Sequence, residues 1–87
     1  VALYPFTAST DLTTKPKRIA SWHVSQGAGT QTIRFRNGSI SGTVMLEVQL
    51  PATTSASQAY GTPIIFPAGV YVEVVGTGFN AGGVDLV

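Results

Sequence analysis

From residue 17 onward, apolar and polar residues trade places at every second position, the signature of strands half buried in a sheet. Residues 17–25 place Ala20, Trp22 and Val24 on one face and Ile19, Ser21 and His23 on the other. Residues 31–36 set Ile33 and Phe35 against Thr32, Arg34 and Arg36. The longest alternation, residues 43–50, sends Val44, Leu46, Val48 and Leu50 one way and Met45, Glu47 and Gln49 the other. Pro51 ends that strand by withholding a donor. Residues 64–66 read as a short apolar strand between Pro63 and Pro67. Residues 70–75 alternate again, with Val70, Val72 and Val74 opposite Tyr71, Glu73 and Val75. Residues 84–87 read as the last strand.

Turn formers separate these runs. Gln26-Gly27-Ala28-Gly29, Ala68-Gly69 and Gly76-Thr77-Gly78 supply glycine, which adopts positive φ without steric cost. Asn37-Gly38 is a strong turn signal, and Ser39-Ile40-Ser41-Gly42 lengthens that connection. Residues 52–61 are small and polar, a loop or a poorly paired edge. No segment keeps the helical period of about 3.6 residues, and Thr, Val and Gly outnumber helix formers. The pattern predicts an all-β fold, a single small antiparallel β-sandwich or flattened barrel over residues 17–87. Residues 1–16 precede it as an N-terminal arm or first strand. Their apolar beginning, Val1 to Phe6, carries Leu3, Tyr4 and Phe6, which want a docking site on this domain or on a neighbour.

Charge narrows the function classes. Only 10% of the 87 residues are charged and the net charge is +1, against roughly 25% charged residues in ordinary domains. Such a surface projects little field, so a dedicated nucleic-acid binder is not expected. With no cysteine, disulfides, thiolate metal sites and cysteine nucleophiles are excluded. No apolar run approaches the roughly 20 residues of a membrane-spanning helix. No basic segment leads into an apolar one, so no secretory signal is expected.

Candidate chemistry is sparse. The acids are Asp11, Glu47, Glu73 and Asp85, and His23 is the sole histidine. No nucleophile, base and orienting group assemble from these, so no enzyme activity and no catalytic residue are expected. One histidine cannot make a zinc triad and no Asp-rich loop matches a calcium cage, so neither metal nor cofactor is expected. Gly82-Gly83 and Gly76-Thr77-Gly78 lack the lysine of a phosphate loop. In Arg34-Phe35-Arg36 the phenylalanine faces the core and the arginines face outward, so basic and aromatic groups do not share a surface as an RNA reader requires. Arg34 and Arg36 are read instead as protein-contact candidates, with Leu3, Tyr4 and Phe6. Lys15, Lys17 and Arg18, around Pro16, read as a solubilising hinge. An alternative use of the aromatics is sugar stacking, for which Trp22, Tyr60 and Tyr71 are the candidates.

Two longer stretches carry a resemblance. RFRNGSISGTVMLEVQLPA (34–52) and IIFPAGVYVEVVGTG (64–78), together with RIASWHVS before them, resemble small all-β virion proteins of tailed bacteriophages. The likeness runs over residues 17–87, is weakest after Phe79, and does not include the apolar start. It implies a non-enzymatic virion protein, a head decoration or cement protein or a head or tail accessory. The expected partners are the major capsid protein or another virion protein, and copies of the chain itself as a dimer or trimer. The expected location is the capsid surface of the virion, after assembly in the host cytoplasm. A carbohydrate-binding or adhesin module on a fibre or tail is the alternative. A domain this small, without staples, is expected to gain stability by association.

Overall fold

In the computed structural model, which describes residues 2–27, 29–76 and 78–87, the alternating stretches become eight strands. They are β1 (Ala2–Phe6), β2 (Thr10–Thr13), β3 (Lys17–Gln26), β4 (Gln31–Asn37), β5 (Val44–Leu50), β6 (Ser55–Phe66), β7 (Val70–Gly76) and β8 (Phe79–Leu86). Val1 and the expected turn positions Ala28 and Thr77 lie outside the described residues.

The pairing is nested. β4 pairs with β5, β3 with β6, β2 with β7 and β1 with β8, every pair antiparallel. The chain is therefore one long hairpin whose closed end is the loop after Asn37. Two more antiparallel pairings, β3 with β8 and β4 with β7, roll that ribbon into two four-stranded sheets, β1-β8-β3-β6 and β2-β7-β4-β5. This strand order is that of a jelly roll, the double-sheet form of an antiparallel sandwich. The all-β sandwich expected from the alternation is the observed fold. The segment before residue 17 supplies one edge strand to each sheet, β1 and β2.

Alternation places the core. Ile33, Phe35, Leu50, Val70 and Val72 of one sheet face Phe6, Ile19, Trp22, Val24, Phe66, Val84 and Leu86 of the other, all buried. Phe35 sits 6.3 Å from Phe6 in an edge-on arrangement and 6.5 Å from Trp22, ring centre to ring centre. Phe79 stacks on Phe6 at 5.6 Å. The chain exposes 4540 Å², a little under the roughly 4900 Å² expected of a folded monomer of this mass. The sandwich closes over its own core.

Irregularities move side chains from where strict alternation would send them. Ile19 was expected opposite Trp22 and Val24, yet all three are buried. Between Ile19 and Ser21 the β3 strand gains one residue on β8, a bulge at Ala20 that returns Ile19 to the inner face. On β5 the register with β4 slips between Leu46 and Val44, so Val44 pairs with the outward Arg36 and is exposed instead of pointing inward. Residues 55–61 are strand rather than loop, because β6 pairs along β3 from Ser55 and bows away only at residues 60–63. β8 begins earlier than expected, at Phe79. Its Gly82-Gly83 pair is steric. A Cβ on Gly82 would lie 2.6 Å from the Phe6 ring inside the sandwich, and one on Gly83 would lie 2.6 Å from the His23 ring outside it.

Asn37 and Gly38 do more than turn the chain. Asn37 Oδ1 accepts a hydrogen bond from the Ala68 backbone N–H at 2.9 Å, and the Gly38 N–H donates to the Gly69 carbonyl at 3.0 Å. The loop between β4 and β5 is thereby tied to the turn between β6 and β7.

Gly82→Ala is expected to cost about 1–3 kcal/mol in urea unfolding, since the Phe6 ring has no room to retreat. Gly61→Ala meets nothing within 4 Å and is expected to change stability by less than about 0.5 kcal/mol. Equal losses for the two would show that the Phe6–Gly82 contact does not constrain the core.

Candidate functional site

The outer face of the β2-β7-β4-β5 sheet carries an ion network. On β4, Arg34 stands directly between Glu47 of β5 and Glu73 of β7. Arg34 Nε donates to Glu47 Oε1 at 2.7 Å, and Arg34 Nη1 to Glu73 Oε1 at 3.2 Å. Two positions on, Arg36 reaches the same Glu73 Oε1 through Nε at 3.1 Å and donates from Nη1 to the Gly42 carbonyl at 2.9 Å. Partial burial of the Glu73 carboxyl works against its ionisation. Hydrogen bonds from Arg34 and Arg36, and their charges, outweigh that and hold it below the ordinary carboxylate value. The hydrogen bond to Glu47, followed by the one to Glu73, raises the Arg34 guanidinium above its usual value.

Both arginines therefore direct part of their donor fork inside the chain. In the sequence Glu47 and Glu73 lie opposite the apolar positions of their strands, with no catalytic use expected of them. Their shared parity with Arg34 was visible, but the strand order that makes them neighbours was not. The network is electrically balanced and contains no nucleophile. It braces three strands and presents little free charge.

The remaining candidates are dispersed. Leu3 is 60% exposed on edge strand β1, whereas Tyr4 is half-buried and packs against the core, and Phe6 lies within it. Phe6 is thus occupied by this chain's own interior and is not displayed to a neighbour. Trp22 is also buried, and its Nε1–H donates to the Tyr60 hydroxyl at 3.0 Å. An indole packed on Phe35 has no free face for a sugar ring. Tyr60 is half-buried beside it. Tyr71 lies on the other sheet, opposite Asp11 and Arg36. The three aromatics do not form a common stacking platform. His23 stands exposed on the outer face of the β1-β8-β3-β6 sheet. Among the described residues, no group of three or more His, Cys, Asp or Glu is placed to hold a metal ion.

One feature involves none of the sequence candidates. A cleft of about 670 Å³ curls round the ends of β4, β5 and β7. Thr32, Gln49 and Val75 line it from the outer face, and Thr30 and Pro51 from the rim. Gln31 also lines it, on the inward-facing side of β4, only 3% exposed. Neither Nε2 nor Oε1 of Gln31 has a hydrogen-bond partner among the described residues. Period-two reading places residue 31 on the core face, and an amide there is the oddity a sequence reader can notice.

Comparison with protein-family models, with curated proteins and with solved structures gives no match.

Glu73→Gln is expected to destabilise the fold by on the order of 1–2 kcal/mol, because two guanidiniums lose a charged partner. Glu47→Gln, at a more exposed carboxylate with a single arginine, should cost less; urea midpoints of the two variants compare them directly. The pH dependence follows from the depressed Glu73 carboxyl. Its contribution is complete above the unfolded chain's ordinary value of 4.5 and disappears as pH falls through the lower folded value. Thermal midpoints should therefore fall below that pH in the wild type and fall less in Glu73→Gln.

Proposed function

We propose that this chain is a non-enzymatic structural protein of a tailed-phage virion, decorating or cementing the capsid through contacts with the major capsid protein and with copies of itself. The observation that carries the reading is the state of the sheet edges. The four edge strands are β1 and β6 in one sheet and β2 and β5 in the other. None of them carries a lysine or an arginine. Free edges of soluble proteins are ordinarily guarded by charge, lysine above all, because an unpaired edge invites another strand. Here the guards are Pro5, Pro63, the bowed segment of β6, the acids Asp11 and Glu47 and the irregular pairing of β2 and β5, with no basic side chain among them.

Exposed apolar side chains lie on or beside those edges. Leu3 is on β1, Ile65 on β6, Val44 and Met45 on β5, and Ile40 in the loop before β5. Edges of this kind suit a molecule whose working state is covered. The jelly roll supports the same reading, since viral capsid domains are among its users, although a fold alone does not define a function. The balanced Arg–Glu network leaves little charge with which to attract nucleic acid.

The test is made on purified particles. The chain should occur at a copy number tied to the capsid lattice, and Met45→Lys or Leu3→Lys should empty those sites while the isolated variants keep their fold. A handful of copies per particle would move the protein to the tail, and full occupancy by both variants would remove the edges from the contact.

A further inference from the structure

We infer that the cleft at the ends of β4, β5 and β7 is a binding site for a neutral carbohydrate, recognised through the buried side-chain amide of Gln31. This goes beyond the capsid reading and holds whether the chain sits on a head or on a fibre.

A buried amide normally finds partners, and leaving both ends unpaired penalises a folded chain. Here Oε1 and Nε2 are both without a partner among the described residues, on a side chain that is 3% exposed. Methionine or leucine would fill the same inward position without that penalty, since Leu50 pairs directly opposite and is buried. The polar group is therefore better explained by something it contacts than by packing.

The surroundings say what kind of ligand suits it. An amide offers a donor and an acceptor side by side, which matches adjacent hydroxyls of a sugar ring. Thr30, Thr32 and Gln49 add further neutral hydrogen-bonding groups along the cleft, and none of its lining residues is ionisable. An anionic or cationic ligand would find no counter-charge. The cleft, about 670 Å³ and broadly open to solvent, is of a size to receive one or two sugar rings. An extended peptide is less suited. It would add as a strand to a free edge, and Pro51 closes the end of β5 without an N–H to offer.

Access runs past Gly76. It has φ 122°, and a Cβ there would lie 2.6 Å from the Thr30 carbonyl and 3.0 Å from the Gln31 amide. The wall over the amide is thus a bare stretch of backbone, and contact with the amide requires Gly76 to give way.

The experiment is a titration of the full isotope-labelled chain followed by NMR. The probes are glucose, galactose, N-acetylglucosamine and their disaccharides, with acetyl-trialanine amide as the peptide arm. At least one sugar should give saturable shifts at the amides of Thr30, Gln31, Gln49 and Gly76 and at the Gln31 side-chain NH₂. Gln31→Met should weaken that sugar by about tenfold, and Gln49→Ala, at an exposed position, should weaken it less. Should Gln31→Met fail to fold, the wild-type side-chain NH₂ signal and Gln49→Ala still decide the matter. Four outcomes overturn the inference. They are no saturable shift with any sugar, unchanged affinity in Gln31→Met, saturation by the peptide alone, or an internal water only, shown by water cross-peaks to an NH₂ that no sugar moves.

Discussion

Phe35 is the contact on which the two sheets depend. It is fully buried at the middle of the central strand β4 and touches both Phe6 and Trp22, which arrive from the opposite sheet. Aromatic pairs at this spacing and tilt add attraction beyond the area they bury. The same strand carries Arg34 and Arg36 on its other face, one residue to either side. β4 thus holds the interior with its odd positions and braces its neighbours β5 and β7 with its even ones. A slip of one residue would drive the guanidiniums inside and the phenyl ring out, so register is specified from both faces at once.

Much of this was legible in the residue pattern. The alternations at residues 31–36 and 70–75 gave the correct faces, because both strands lie in the middle of a sheet and run without interruption. The misreadings fall where the pairing is broken. Ile19 and Val44 were assigned to the wrong side because a bulge adds a residue to one strand without altering its composition. The stretch 52–61 resembled a loop because serine and alanine are poor strand formers, and its pairing along β3 outweighs that preference. The ion network and the cleft stayed hidden for a different reason. Each needs the spatial order of strands that are far apart in sequence, and alternation carries no information about order.

Away from the Lys15, Lys17 and Arg18 cluster, the sheet faces, edges and cleft share a scarcity of free charge. The β4 arginines are neutralised within the sheet, the edges are uncharged or nearly so, and the cleft is lined by hydroxyls, amides and apolar groups. The interior, in contrast, is complete, and the accessible area matches that of a chain folded on its own. An account of association for this protein therefore rests on its exterior. The sandwich has no missing core to borrow, and several of its exposed apolar side chains lie along the sheet edges.

The nested pairing also has a kinetic side. β1 lies against β8, with Ala2 opposite Leu86 and Phe6 opposite Gly82, so β1 cannot dock until the distant β8 is present. Closing so wide a loop comes late and slowly, and sheets built from such distant pairings assemble in milliseconds to seconds rather than microseconds. During synthesis β2 through β7 can form their inner hairpin while β1 remains unzipped, its Leu3, Tyr4 and Phe6 still in water. Until β8 is present, Phe6 has no seat against Phe79 and Gly82.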